Sequence, residues 1–213
     1  NIKDLSIKTL SKHIGIVLQN PNHQLFEETV YKDIAFGLKN QGYSEEEIDI
    51  KIKEIIKILD IDSSLLGKSP FDLSGGQKKL VSIAGILAMN PEILIFDEPT
   101  VGIGWRGQEL LYDLILKLNQ AQKKTIIIIS HNIIDILKVC TRVMIMSNKK
   151  IILDVSKKKI LSFKDTLIQS ALSVPEWSEL LTILKQNNLK IDDKVYNIET
   201  AASELIKVFK NVN

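Results

Sequence analysis

The chain has 213 residues, of which 45% are hydrophobic and 25% are charged, and these proportions are ordinary for a globular protein. This length fits one large domain, or a core with an appendage, and allows a substantial buried core. The formal net charge of +2 gives no reason to expect affinity for nucleic acid. Apolar runs are only a few residues long, too short to span a membrane, and the single cysteine, Cys140, excludes a disulfide within these residues.

The first half of the chain predicts one buried strand and three helices. The strand covers residues 14–18 and is ended by Gln19-Asn20-Pro21. A helix is predicted over residues 29–39, and a second begins at the capping box Ser44-Glu45-Glu46-Glu47. The apolar stripe of the second helix consists of Ile48, Ile52, Ile55, Ile56 and Leu59. The third helix is predicted over residues 77–89, before Asn90-Pro91.

Strands and helices alternate after residue 90. Strands are predicted at 93–97 and 125–130, with helices near 106–122 and 132–139, and two further strands follow at 142–147 and 150–154. Because the strands are apolar throughout, we expect a mainly parallel sheet with helices on both faces. Short amphipathic helices near 157–172, 175–187 and 198–211 then predict a small helical appendage. The predicted division is an α/β domain over 1–155 and an appendage over 156–213.

Two glycines stand directly before the third predicted helix, in the pentapeptide Leu73-Ser74-Gly75-Gly76-Gln77. A helix N-terminus presents unpaired N–H groups and a positive dipole to an anion, and glycine lets the backbone approach a phosphate closely. The simpler alternative is a glycine turn that only caps the helix. The pattern favours an anion site.

Polar residues follow three of the predicted strands. The strand Ile93-Leu94-Ile95-Phe96 ends in Asp97 and Glu98, Ser130-His131 follows the next strand, and Gln19 ends the first. In open α/β sheets, ligands bind outside the carboxyl ends of the strands. A glutamine or a histidine at one strand end would indicate little by itself, but together these residues predict a site at one edge of the sheet.

The set of motifs resembles the ATP-binding-cassette (ABC) ATPases, whose LSGGQ signature, Walker B box and switch histidine occur in the same order. The resemblance implies an α/β fold of the P-loop NTPase (RecA-like) class, with a parallel sheet core and an ABC helical subdomain over about 28–90. It also implies ATP and Mg²⁺ as cofactors. The signature residues would close on the γ-phosphate held by a partner subunit; they are Ser74, Gly75, Gly76 and Gln77.

The same resemblance implies a role for each polar residue at the strand ends. Asp97 would hold Mg²⁺ through water, and Glu98 would polarise the attacking water as the general base. His131 would contact the γ-phosphate. Gln19 would be the Q-loop glutamine, which reaches both Mg²⁺ and the water.

A closer resemblance is to the ATPases of energy-coupling factor (ECF) transporters, which import cobalt and vitamins, and most of all to the second of their two ATPase paralogues. It is carried by residues 22–30, 33–37, 84–89 and 172–176. It implies an ATPase coupled to transport, on the cytoplasmic face of the plasma membrane as a peripheral subunit. The implied partners are a second ATPase subunit in a heterodimer, a transmembrane coupling component and a substrate-binding membrane component, with no nucleic acid.

The coupling component would offer basic residues to the segment 22–37. Glu27, Glu28 and Asp33 would supply the complementary charge, and Leu25 and Phe26 the apolar contact.

Two features depart from the family pattern. The phosphate loop, G-x-x-x-x-G-K-[ST], does not occur in these residues, and Gly67-Lys68-Ser69 fails because Asp62 stands where a glycine is required. We therefore expect the phosphate-loop strand, which in this family lies between the strands at 125–130 and 142–147, to be absent, and the isolated chain to be inactive. In the D-loop, Gly102-Ile103-Gly104-Trp105 replaces the family's glycine-leucine-aspartate-proline.

Two alternatives remain open. One is another class of ABC ATPase, either a different importer or a soluble translation or DNA-repair ATPase. The other is a degenerate, non-enzymatic partner subunit that docks and signals without binding ATP alone. The segment 22–37 and the C-terminal helices favour the ECF class.

Overall fold

The structure, a computed structural model, describes residues 4–193 and 195–210. The chain divides into two compact units, one ending at Ile129 and the other beginning at Ser130. None of the described helices is both long and apolar enough to cross a membrane.

A parallel sheet of three strands forms the centre of the first unit. Its strands are β1 (Ile14–Val17), β2 (Ile93–Asp97) and β3 (Thr125–Ile129), in the order β1-β2-β3. The register places Ile16 beside Ile95 and Ile95 beside Ile127. All three predicted strands are confirmed, and because they are parallel their carboxyl ends lie at one edge. The residues that follow β1 and β2 therefore begin at the same edge.

Five α-helices accompany this sheet in the described part of the first unit. They are α1 (Ile7–His13), α2 (Val30–Gln41), α3 (Glu45–Ile58), α4 (Gly75–Ala88) and α5 (Trp105–Gln120). The predicted capping box at Ser44 and Glu47 is present, and the predicted stripe of α3 is buried. Helix α1 was not predicted. Helix α4 begins two residues earlier than expected because Ser74 is its N-cap.

The two faces of the sheet differ in exposure, contrary to the expectation that both are covered. On one face Val17, Leu94 and Phe96 are fully buried. Helix α4 packs closely there, since a Cβ on Gly15 would lie 2.5 Å from the Ile86 Cγ2 atom. On the other face Ile16 and Ile127 are each 45% exposed and Ile129 is 52% exposed. In the described ranges, the helices bury one face of the sheet and leave much of the other open.

The second unit contains a hairpin followed by short helices. Helix α6 (Ile133–Val139) precedes the antiparallel strands β4 (Arg142–Ser147) and β5 (Lys150–Ser156), and α7 (Lys164–Gln169), α8 (Glu176–Gln186) and α9 (Ile198–Lys210) follow. The helix predicted over 157–172 is instead a 3-10 segment, Lys157–Phe163, joined to α7. Helices α8 and α9 enclose a small core containing Leu181, Ile191, Val195 and Ala201.

The described strands form two separate sheets, and the expected absence of a phosphate-loop strand stays a prediction. Among the described strands, β3 pairs with β2 and β4 pairs with β5, in separate sheets. The predicted domain division after residue 155 lies at the end of β5 and stays a prediction.

Candidate functional site

The signature residues form the first turn of α4. Ser74 Oγ accepts a hydrogen bond from the Gln77 N–H at 3.3 Å, and Gln77 Oε1 accepts one from the Ser74 N–H at 3.0 Å. These two side chains therefore cap the helix by bonding to each other's backbone. The first amides of a helix have no acceptor within it, so the groups best placed to face an anion are the N–H groups of Gly75 and Gly76.

A cleft of about 550 Å³ opens beside this turn. It is lined by residues 19–22, by Gly75, Lys78 and Lys79, and by Val101 and Gly102. A Cβ on Gly76 would lie 3.2 Å from the Gly102 carbonyl oxygen, so the signature turn and the loop after β2 approach closely. The structure thus brings two of the predicted site residues, Gln19 and Gly75, to one cleft.

Two carboxylates end β2, and the second has an unusual backbone. Asp97 is the last residue of the strand. Glu98 adopts a left-handed conformation with φ of +45°, while its N–H donates to the Ile129 carbonyl at 2.9 Å. A non-glycine residue with positive φ is uncommon and costs about 1–2 kcal/mol. Seven other described non-glycine residues also have a positive φ, among them Lys123 and Ala171, so this conformation shapes the turn after β2 and assigns Glu98 no role by itself.

A buried lysine joins the ends of β1 and β2. Lys79 is 1% exposed, and its Nζ donates to the carbonyl oxygens of Leu18 at 2.9 Å and Gln19 at 3.0 Å, with a longer contact of 3.5 Å to that of Asp97. Burial lowers the pKa of Lys79, and the carboxylates of Asp97 and Glu98 oppose this shift. Sequence reasoning missed this residue. The available signal was the position of Lys79 four residues before the buried Ile83, on the same side of the helix. Because lysines are rarely buried without a partner, a lysine on that side predicts polar acceptors nearby, although it does not identify them.

Gln24 holds the end of β1 from within the following loop, and it was also missed. Its Nε2 donates to the Ile16 carbonyl at 3.0 Å, and its Oε1 accepts from the Leu18 N–H at 2.9 Å. The side-chain amide therefore continues the strand's hydrogen bonding where no neighbouring strand does so in the described residues. This fixes the backbone that leads into Gln19.

His131 belongs to the second unit, where it is exposed and directly precedes the N-cap of α6. The turn is held by side chains on either side of it. The Asn132 N–H donates to Ser130 Oγ at 3.0 Å, and Asn132 Oδ1 accepts from the Ile134 N–H at 3.0 Å. The role of His131 at the γ-phosphate stays a prediction.

The oxygen donors at the sheet edge suit a magnesium ion that also binds phosphate and water, rather than an ion enclosed by protein side chains alone. In the described ranges, no cluster of three or more His, Cys, Asp or Glu side chains could hold a metal. Mg²⁺ is commonly bound through one or two carboxylates together with phosphate oxygens and water. The carboxylate of Asp97 and the amide oxygen of Gln19 are hard oxygen donors of this type, so the residues present fit the ion.

The structure locates both the D-loop and the segment that was rejected as a phosphate loop. Gly104 is the N-cap of α5 and supplies no side-chain hydrogen bond to it. Around Gly67-Lys68-Ser69, the carbonyls of Leu66 and Lys68 accept from the first N–H groups of α2, at 3.0 Å each. This segment anchors α2 through its carbonyl groups.

A second cavity, of about 520 Å³, is lined by α2, α4 and residues 24–26, together with Ser11 and Lys12. Phe26 and Phe36 meet edge to face at its side, with ring centroids 4.8 Å apart, and are 58% and 42% exposed. Asp33 is half-buried within it, and its carboxylate accepts from the N–H groups of Phe26 at 3.2 Å and Glu27 at 3.3 Å. Burial raises the pKa of Asp33, and the two hydrogen bonds oppose this.

The structure places the residues of segment 22–37 that were predicted to dock a partner, and their docking role stays a prediction. Leu25 is buried, so it offers little apolar surface to a partner. Glu28 pairs with Lys32 at 2.5 Å and does not line the cavity. Phe36, which was not predicted, provides apolar surface beside Phe26.

Comparison with known proteins places these features in a family. The sequence matches the ABC transporter family over residues 1–101. It is 42% identical over 210 residues to the energy-coupling factor transporter ATP-binding protein EcfA2 of Clostridium tetani, covering 98% of this chain and 73% of that one. It is 40% identical over 203 residues to EcfA2 of Acetivibrio thermocellus, covering 95% and 72%.

Solved structures are similar in fold. CbiO1 from Clostridium perfringens, described as part of the ABC transporter complex cbiONQ, superposes with a TM-score of 0.65 at 35% identity, over 82% of this chain and 69% of that one. The ATP-binding cassette MJ0796, in a dimeric post-hydrolysis state bound to ADP and Pi, gives a TM-score of 0.65 at 27% identity, over 72% and 68%. The expected α/β fold is confirmed by these neighbours.

Proposed function

This chain belongs to the energy-coupling factor transporter ATP-binding proteins, and we propose that it is the ATP-binding and ATP-hydrolysing energy-coupling subunit of an importer for vitamins or metal ions. The observation that carries the proposal is the common sheet edge at which Gln19 follows β1 and Asp97 ends β2. Gln19 also lines the cleft beside the signature turn. Lys79 connects this cleft to the carboxyl end of β2, where Asp97 and Glu98 stand. The arrangement suits a phosphate-bearing ligand at the sheet edge.

Each polar residue at the sheet edge has a role in hydrolysis. Glu98, which directly follows the last residue of β2, accepts the proton of the attacking water as the water oxygen bonds to the γ-phosphorus and the bond from that phosphorus to the departing ADP breaks. Asp97 and Gln19 would hold Mg²⁺, the first through water. When bound, the ion neutralises charge on the phosphate oxygens. His131 would donate a hydrogen bond to the γ-phosphate, as the resemblance of Ser130-His131 to the family's switch histidine implies.

The signature turn serves a nucleotide bound to another subunit. The N–H groups of Gly75 and Gly76, with the helix dipole of α4, face the γ-phosphate held by a second ATPase subunit. Gly75 is exposed, which supports access from outside the chain. The dimeric state of the related cassette MJ0796 also supports this arrangement. The subunit therefore works as half of a dimer, and its resemblance to the second of two ATPase paralogues implies that the other half is a different ATPase subunit.

The cavity beside α2 receives the transmembrane coupling component. Phe26 and Phe36 offer apolar contact, and Asp33 offers a carboxylate to a basic residue. Residues 24–26, which line the cavity, follow the Gln19 loop closely in sequence. The docked subunit lies at the cytoplasmic face of the membrane as a peripheral protein. The substrate is bound by a separate membrane component.

The test is hydrolysis and import by the full-length protein assembled with its second ATPase and its membrane components. Glu98→Gln is expected to keep ATP binding while lowering hydrolysis at this site by about 10²–10⁴-fold, because it removes the base but no phosphate contact. The partner's own general base is disabled so that this site is measured alone. If the parental complex then shows no hydrolysis that depends on Glu98, this subunit is a degenerate partner, as Gly104 in the D-loop would allow.

A further inference from the structure

Lys79 lies two residues after the signature pentapeptide, on the buried side of α4. Its ammonium group reaches the carboxyl ends of two different strands, at Leu18 and Gln19 after β1 and at Asp97 on β2. We propose that Lys79 is a positioning residue that ties the signature helix to the Q-loop backbone and to the Walker B strand. A displacement of α4 then moves Gln19 and Asp97 together with it. The inference rests on the proposed ATPase function.

The chemistry of the contact argues for a role beyond packing. A lysine ammonium has three N–H donors, and here three carbonyl oxygens surround it. Removing the charge from water is costly, and an apolar side chain of similar volume would often serve stability equally well or better. Each contact is also distant in sequence, because Lys79 is 61 residues from Leu18, 60 from Gln19 and 18 from Asp97. A cation at this point therefore fixes the relative position of three segments that a methylene chain would only pack against.

The Gln19 turn is held from two directions. Gln24 bonds to the backbone of Ile16 and Leu18 from within the loop, whereas Lys79 bonds to the Leu18 and Gln19 carbonyls from α4. The first interaction is local and would move with the loop. The second connects the loop to the helix whose first turn carries Gly75, so it is the one that transmits motion between the signature and Gln19.

The chain contains a natural comparison for this residue. Lys124 is also buried, at 8% exposure, and its Nζ donates to the Pro91 carbonyl at 2.5 Å. Pro91 precedes β2 and Lys124 precedes β3, so this contact lies at the amino ends of the strands. Lys124 shares the cost of a buried charge but contacts none of the proposed site residues.

The experiment uses the full-length protein in its complete transporter, and compares Lys79→Met with Lys79→Arg and Lys124→Met. The measurements are kcat and KM for ATP hydrolysis, the substrate imported per ATP hydrolysed, and Tm. Lys79→Met is expected to lower kcat about 10–100-fold, as loss of an orienting partner does. It should change KM little and lower the import per ATP. Lys79→Arg should recover part of kcat, and Lys124→Met should leave kcat and the import ratio within about twofold of the parent.

Several outcomes would overturn the inference. One is a kcat for Lys79→Met equal to that of Lys124→Met, and another is equal losses in Lys79→Met and Lys79→Arg. If Lys79→Met does not assemble, Lys79→Gln is compared with Lys79→Arg. A lower kcat for the glutamine variant supports the inference and equal values refute it. A parental complex without Glu98-dependent hydrolysis would instead contradict the proposed function, so the two failures are distinguishable.

Discussion

Gly75 and Gly76 are adjacent but have different surroundings, so a packing requirement for glycine can be distinguished from a requirement of ligand binding. A Cβ added at Gly76 would lie 3.2 Å from the Gly102 carbonyl oxygen, whereas one added at Gly75 would meet no atom within 4 Å. Neither residue has the positive φ that disfavours other side chains. Structure alone therefore explains a small residue at 76, but it does not explain one at 75.

Gly75→Ala is expected to leave stability unchanged or to raise it by about 0.4–1 kcal/mol, because the unfolded chain loses conformational freedom. It should nevertheless lower hydrolysis at the partner's nucleotide site by about 100-fold, measured in a heterodimer in which Glu98→Gln silences this chain's own site, since displacing a phosphate by 1 Å is enough for such a loss. The measurements are Tm and kcat. Gly67→Ala is the control, because a Cβ there also meets no atom within 4 Å and Gly67 does not line the cleft. Full activity in Gly75→Ala would show that no ligand approaches this glycine.

The positions of the candidate site residues at strand and helix ends could be predicted from sequence, but their contacts could not. Asp97 and Glu98 were found because an apolar strand that ends in carboxylates is a local pattern. Lys79 was missed because its acceptors are backbone carbonyls 60 and 61 residues away in sequence, which no pattern of side chains reveals. The roles of Ser74 and Gln77 were only partly foreseen, since each side chain also caps the helix that the signature opens.

At the scale of elements, α2 and α4 create the cavity in which Asp33 is half-buried. Asp33→Asn is expected to weaken binding of the transmembrane component by at least about tenfold, because loss of a partly buried charge costs more than loss of an exposed one. The asparagine oxygen can still accept one of the two loop N–H bonds. The measurement is the affinity of the purified subunits at low and high salt.

Glu28→Gln is the control for this prediction, because Glu28 is exposed, pairs with Lys32 and does not line the cavity. Equal affinities of the two variants would exclude Asp33 from docking. Since burial raises the pKa of Asp33, its charge is lost at a higher pH than that of an exposed aspartate. Docking should therefore weaken as the pH falls through this higher range, and the asparagine variant should not show this dependence.

Elements with strong local signals were predicted well. Helix α3 has both a capping box and an apolar stripe, and its observed bounds follow both. Helix α1 has two apolar residues among its seven and went unpredicted, whereas α6 has five among the same number and was predicted. The segment 157–172 was read as one helix, but Ser170 ends α7 and Ala171 adopts a positive φ of 57°. Alanine seldom adopts a positive φ and does not mark a turn in the sequence, so the end of α7 was not predicted.

At the scale of the molecule, the sequence predicted a parallel sheet but not the exposure of its faces. The run Ile126-Ile127-Ile128-Ile129 is apolar at every position, which indicates cover on both sides. In the structure it alternates, because its even-numbered members share a face with the buried Leu94 and Phe96, and its odd-numbered members do not. An apolar run shows only that both faces of a strand could be buried. Whether each face is buried depends on the elements that pack against it.

The open face and the edge of β3 together predict how the 213-residue chain behaves alone. Ile127 and Ile129 are exposed, and in the described residues β3 pairs on one side only, with β2. An apolar strand edge of this kind is an aggregation hazard.

Ile127→Thr is expected to reduce aggregation and the binding of a hydrophobic dye while changing Tm little, because threonine keeps the β-branched shape that suits a strand. Ile128→Thr is the matched control on the packed face, where the same change should cost about 1–3 kcal/mol by placing a hydroxyl against apolar neighbours. Light scattering, dye fluorescence and thermal melts measure these effects. If both variants lower the Tm equally and neither reduces scattering, the face that carries Ile127 is covered in solution and the aggregation argument fails.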